Sequence, residues 1–166
     1  MSKRMIAAIA ALAVTASESL AQEVKVGVVL PYTGIGAEFA QQMDHGMELY
    51  LKLNADKVEP YKITFVKRDS KAPNGAEAKA MVQELLTQDK VDAIAGFMYS
   101  PDAIASAPLI TAGKKLAVIV NAGTAFITNL APEYVRTSFT MWQSGYTMGA
   151  AAAKNRSEER RVGKEC

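Results

Sequence analysis

The sequence predicts an α/β fold, a doubly wound parallel sheet, on three observations. Short apolar runs alternate with single amphipathic helical segments from Val24 to Ser138. No internal repeat interrupts that alternation, and the loops after three of the runs carry small or hydroxyl-bearing residues. Strands joined through single helices imply right-handed crossovers and a parallel sheet covered on both faces. The length of 166 residues corresponds to roughly one domain.

Both ends read as lying outside that domain. Residues 1–21 have the three parts of a cleavable signal peptide: a basic start at Lys3 and Arg4, an apolar stretch from Met5 to Val14, and the small-residue site Ser19-Leu20-Ala21 before Gln22. That stretch is too short for a membrane-spanning helix, which needs about 20 residues. An exported, periplasmic product is expected, and with no cysteine near the cleavage site, no lipid anchor. At the other end, seven of the eleven residues from Arg156 to Cys166 are charged, directly after an Ala-rich segment. This stretch, 156–166, reads as a non-native tail, the alternative being a native solvated one. It holds the only cysteine, Cys166, so the domain is expected to need no disulfide. Between the ends, residues 22–155 carry 13 Lys or Arg and 13 Asp or Glu. No basic footprint remains to make nucleic acid or a membrane surface an expected partner.

Val24 to Leu30 is a buried strand closed by Pro31, and the loop Tyr32 to Gly36 follows it. Phe39, Ala40, Met43, Met47, Tyr50 and Leu51 then recur at three and four residues, the apolar face of a helix over 37–53 that packs on the sheet. Asn54 to Pro60 is polar and turn-rich, and Tyr61 to Val66 is a second strand running into Lys67-Arg68-Asp69. Asn74 and Glu77 have capping-box spacing ahead of a helix whose buried face is Ala78, Met81, Val82, Leu85 and Leu86.

The third unit, Val91 to Ala112, organises the rest. Val91, Ala93, Ile94 and Ala95 form a strand, Gly96 begins the turn, and Ser100-Pro101-Asp102 opens a helix with Ser100 as N-cap and Pro101 at the first helical position. A helix start there favours a small anion such as a carboxylate. The same stretch also reads as an ordinary capped join. Pro108 is expected to kink this helix and Gly113 to end it. Leu116 to Val120 is the fourth strand, followed by Asn121-Ala122-Gly123-Thr124, and Tyr134 to Ser138 is the fifth. Met141 to Lys154 reads as a last helix with few charges.

Ligands of open α/β sheets bind beyond the carboxyl ends of the strands, near the switch in strand order. Three loops end there: Tyr32 to Gly36, Phe97 to Ser100 and Asn121 to Thr124. Enzyme readings are weak. Gly34-Ile35-Gly36 begins like a dinucleotide fingerprint, but Phe39 occupies the third glycine position. His45 lies off the apolar helix face, without a serine or cysteine at triad spacing, and reads as a surface residue. Asp69 reads as a turn former rather than a catalytic acid. No His, Cys, Asp and Glu cluster has metal-ligand spacing, so neither a metal nor a cofactor is expected.

The segments VKVGVVLPYTG, GMELYLKLN, DKVDAIAGFMYSPDAIASAP, VIVNAGTAFIT and YVRTSFTMWQ together resemble the branched-chain amino acid (Leu/Ile/Val) type of periplasmic substrate-binding protein. The resemblance implies the type I periplasmic binding fold with flavodoxin-like layering, an ABC importer with its membrane permease as partner, and no enzymatic activity. It implies a small-molecule ligand, an amino acid or similar carboxylate, held between two lobes. By position, Ser100 resembles the serine that holds the ligand carboxylate. Ala122 and Thr124 match the alanine and threonine that hold its carboxylate and amino ends. Phe39 falls where some members place an aromatic residue at the cleft rim, and Tyr99 is placed to pack on the ligand or on its own lobe.

The resemblance covers one lobe only. Residues 22–140 correspond to the N-terminal lobe, Thr137 to Thr140 to the first hinge crossing, and 141–155 to the opening helix of a second lobe that is absent. Such a piece is expected to bind weakly or not at all. Two other readings stand beside transport: an extracytoplasmic sensor domain feeding a receptor, and an exported α/β enzyme whose missing half supplies the chemistry.

Overall fold

A computed structural model describes residues 22–162, with side chains through Arg156. The expected signal peptide, 1–21, lies outside the described residues. Five parallel strands, β1 (Gln22–Leu30), β2 (Tyr61–Asp69), β3 (Ala93–Gly96), β4 (Ala117–Ile119) and β5 (Tyr134–Arg136), form one sheet in the order β2-β1-β3-β4-β5. The chain leaves β1 towards β2 and returns to the other side of β1 with β3. The switch in strand order therefore falls between β1 and β3.

The helices are α1 (Ala37–Leu53), α2 (Ala55–Val58), α3 (Gly75–Thr87), α4 (Ser100–Gly113) and α5 (Met141–Val162). Strand alternation sorts side chains to the two faces. On one face Val29, Ile94, Ile119 and Tyr134 pack with Val82 and Leu85 of α3 and Ala103, Ala107 and Ile110 of α4. Gly27 makes room here, since a Cβ would stand 2.9 Å from Leu85 Cδ1. On the other face Val28, Leu30 and Phe65 meet Ala40, Met43 and Met47 of α1.

Several expectations need correction. The second face is covered by α1 only on its β1–β2 side, so Leu116 and Val135, on that face by alternation, stay about half exposed. Phe39 and Tyr50 are 54% and 60% exposed rather than packed on the sheet, because only Ala40, Met43 and Met47 of α1 reach the core. Asp44, off the apolar stripe, is buried because Tyr32 Oη donates to it at 3.0 Å and Lys67 Nζ pairs with it at 2.5 Å. The stretch read as a turn holds α2, and β2 runs on through Asp69. The helix α4 carries Pro108 inside it and ends at Gly113 as expected, with Lys114 taking the left-handed cap at φ 50°. The last helix continues to Val162, through much of the stretch read as a tail.

Two caps differ in a way that matters to the site. Asn74 caps α3 as expected, accepting from the amides of Ala76 and Glu77 at 3.2 and 3.4 Å. Its own N–H, however, donates to Asp102 Oδ1 at 3.0 Å rather than to Glu77. Tyr99, not Ser100, is the N-cap of α4, with Ser100 the first helical residue. Ser100 Oγ accepts from the Thr124 amide at 3.3 Å instead of capping its own helix. In both cases a partner from a distant element displaces the local one.

Candidate functional site

An open cavity of about 690 Å3 lies beyond the carboxyl ends of the central strands. Its walls come from Met98, Tyr99 and Ser100 after β3, Asn121 and Gly123 after β4, Pro73 after β2, and Phe139 and Met141 where the chain enters α5. Backbone and side-chain bonds tie these loops together. Asn121 Nδ2 donates to the Met98 carbonyl at 3.1 Å, and the Met141 amide donates to the Gly123 carbonyl at 2.7 Å. Gly123 permits that approach, since a Cβ there would lie 2.9 Å from Met141 Cγ.

Ser100 and Tyr99 line the cavity, and Thr124 is bonded to Ser100 at its edge. Thr124 is held at both ends of its peptide unit, with its N–H on Ser100 Oγ and its carbonyl accepting from Arg136 Nη2 at 2.6 Å. Its hydroxyl takes part in neither bond. Ala122 is buried between two lining residues, and its N–H donates to the Phe97 carbonyl at 2.9 Å. That amide is committed to the fold. Phe39 does not line this cavity; it stands more than half exposed on α1, near the almost fully exposed Ile35.

The helix α4 starts at this cavity. Its first intrahelical bond is the Ala103 amide to the Tyr99 carbonyl, Pro101 has no N–H, and the amides of Ser100 and Asp102 lie ahead of that bond. The first loop joins through Tyr99, whose hydroxyl would lie 2.8 Å from a Cβ at Gly36. Asp69 fastens that loop as a turn former. It accepts from the amides of Tyr32, Thr33 and Lys71 and from the Thr33 hydroxyl at 2.7 Å. Burial pushes its carboxyl upward, but the Thr33 hydroxyl and the three backbone donors outweigh this and hold it below the ordinary range. On Tyr32, burial first and then the hydrogen bond to Asp44 push the phenol above its usual value. His45 is exposed on α1. Among the described residues no three His, Cys, Asp or Glu side chains gather as metal ligands.

Sequence reasoning passed over two residues of this region. Asp102 is 1% exposed, and its Oδ2 is buried with no partner among the described residues. Burial pushes its carboxyl up to about 6, opposed by the Asn74 amide and assisted by Glu77. Arg136 was equally unremarked, although it is the only cation between Lys115 and Lys154.

A doubly wound sheet whose loops after β3 and β4 meet beside a helix start at the switch point has its crevice where open α/β sheets bind their ligands. The chain belongs to the periplasmic binding protein family, whose sequence profile matches residues 23–163. It is 35% identical over 152 residues to the Leu/Ile/Val-binding protein homolog 6 of Brucella abortus, covering 92% of this chain and 39% of that one. The chain therefore spans well under half the length of that relative. An ABC-transporter solute-binding protein of Rhodopseudomonas palustris BisB5, solved with 3,4-dihydroxybenzoic acid, is 41% identical with a TM-score of 0.74, over 80% of this chain and 36% of that one. A leucine-binding protein of Thermotoga maritima is 25% identical with a TM-score of 0.72, over 81% and 38%. The type I periplasmic binding fold expected from the sequence is the fold observed.

Proposed function

We propose that this chain is the N-terminal lobe, residues 22–140, of a periplasmic solute-binding protein that captures a small carboxylate for an ABC importer. The observation that carries this reading is the Ser100–Thr124 bond, which brings the loops after β3 and β4 to one cavity at the start of α4. There the amides of Ser100 and Asp102, the Ser100 hydroxyl and the Thr124 hydroxyl are the donors for a carboxylate. Ala122 contributes by shaping the loop between them rather than through its engaged amide. Tyr99, Met98 and Phe139 supply apolar walls suited to a ring or a branched side chain. Phe39 acts from the rim.

The ligand class is an aromatic or branched aliphatic acid. The relative solved with a dihydroxybenzoic acid is 41% identical, against 25% for the leucine-binding one, which favours the aromatic acid. Residues 141–155 are the first helix of a second lobe. Every side chain from Met141 to Arg156 is exposed in α5, Trp142 and Tyr146 among them, as fits a helix whose packing partners belong to another lobe. Delivery is to a membrane permease after closure around a hinge, and export is through the signal peptide at residues 1–21.

A single lobe offers half of the contacts, but the loops after β3 and β4 already line one cavity within it. Of the two outcomes expected from the sequence, weak binding or none, weak binding is therefore favoured: benzoate, 4-hydroxybenzoate or leucine should bind in the millimolar range, read by NMR titration. Ser100→Ala removes a hydrogen bond to a charged group worth about 1.5 to 3 kcal/mol. The dissociation constant for the preferred acid should rise about 10- to 150-fold. No saturable shift with any of the three acids would overturn the reading, and an unchanged constant for the variant would remove Ser100 from the site.

A further inference from the structure

Arg136 ends β5 opposite Ile119 of β4, and its side chain reaches under the loop after β4. Nη2 donates to the Thr124 carbonyl at 2.6 Å. Nε and Nη1 are buried and meet no hydrogen-bond partner among the described residues. The ion pairs among those residues join Lys67 with Asp44 and Glu48, and Arg68 with Glu84 and Asp89; none reaches Arg136. Glu133, the acidic residue nearest in sequence, precedes the opposite end of β5 and forms no ion pair with Arg136. A guanidinium does not shed its proton under physiological conditions. Burying one without an anion is strongly unfavourable, so such a charge is normally met by a carboxylate or an equivalent acceptor.

We propose that Arg136, a partly buried residue, is a positioning residue that supplies the counter-charge of the carboxylate cradle, through its bond to Thr124 and its two buried guanidinium nitrogens that meet no acceptor among the described residues. This rests on the reading of the cavity as a carboxylate site. Thr124 is clasped between Ser100 and Arg136, so the guanidinium fixes the residue that presents its hydroxyl and sets a positive charge against its carbonyl. A carboxylate bound at Ser100 and Thr124 lies within the field of that charge, which partial burial leaves less screened than a fully exposed cation. The site should therefore discriminate by charge as well as by shape, taking an acid and rejecting its neutral amide.

The test compares benzoate with benzamide, two probes of nearly the same shape, by NMR titration of the 166-residue protein and of its Arg136→Gln and Arg136→Lys variants. Wild type is expected to prefer benzoate. R136Q should lose that preference, with benzoate affinity down about tenfold, equivalent to about 1.4 kcal/mol, and benzamide affinity little changed. R136K, which keeps the charge without the planar fork, should retain the preference while the Thr124 amide resonance shifts. Equal weakening of both probes in R136Q would reduce the residue to loop support and overturn the proposal. So would an undiminished preference. Should R136Q give no folded spectrum, a folded R136K without the preference overturns it. A wild type that binds neither probe overturns the carboxylate cradle and this proposal together, whereas the preceding outcomes count against Arg136 alone.

Discussion

A Gly96→Ala variant is expected to lose about 3 kcal/mol or more of folding stability, through backbone strain and overpacking together. Gly96 ends β3 with φ of +123°, a region that L side chains rarely adopt, and a Cβ there would overlap the Val29 carbonyl of the neighbouring strand. That carbonyl already accepts the Phe97 amide at 2.9 Å, so neither strand can withdraw without breaking the bond. The strain continues into Phe97, which has φ of 61° although it is bulky and fully buried. Its ring, edge-on to Tyr134 at 6.1 Å, holds the turn from which Met98, Tyr99 and Ser100 enter the cavity. Gly46→Ala is the control. Nothing lies within 4 Å of a Cβ there, and Gly46 is inside α1, so the change should stabilise by roughly 0.5 to 1 kcal/mol. Urea midpoints of the two variants should move in opposite directions. A Gly96→Ala midpoint indistinguishable from wild type would show that the β3 turn is not constrained as described.

The second large effect is a pH dependence that resides in Asp102. Its carboxyl is pushed up to about 6 by burial, against an ordinary value of 3.8, so the folded state holds a proton more tightly than the unfolded one. The resulting stabilisation is fully present below pH 3.8 and is lost as pH rises through about 6. The loss amounts to about 3 kcal/mol by pH 7, since each pKa unit is worth about 1.4 kcal/mol. Asp102→Asn keeps an acceptor for the Asn74 amide and is neutral at every pH. The variant should therefore match wild type near pH 4 and exceed it by up to about 3 kcal/mol at pH 7.5. Denaturation curves at both values check this. A wild type and variant whose stabilities run parallel across the range would place the titration elsewhere.

Much of the architecture was legible because its causes are local. The period of three and four in Ala40, Met43 and Met47 requires a helix with one apolar face, and the apolar run after Asp92 requires a buried strand, whatever surrounds them. The cap at Asn74, the turn-forming role of Asp69 and the exposure of His45 followed from side-chain chemistry within a few residues. The alternation of strands and helices was enough to gather the small-residue loops at one edge of the sheet.

What failed to show in the sequence depends on partners far apart in the chain. Ser100 is a competent N-cap, yet the Thr124 amide, 24 residues on, takes its hydroxyl. Asp102 looks like an ordinary acidic residue in a first helical turn, and only the packing of α3 on α4 buries it and gives it the Asn74 amide. Phe39 fits the apolar stripe, but the placement of α1 over one side of the sheet leaves it exposed.

The sequence by itself determined the α/β class, the order of elements and the edge at which a ligand can be held, because periodicity and turn chemistry act within one element. Tertiary structure alone decided which donors at that edge are free and which charges are buried. Hydrogen-bond partners and desolvation at Ser100, Thr124, Asp102 and Arg136 are set by the meeting of distant segments, which no local pattern records.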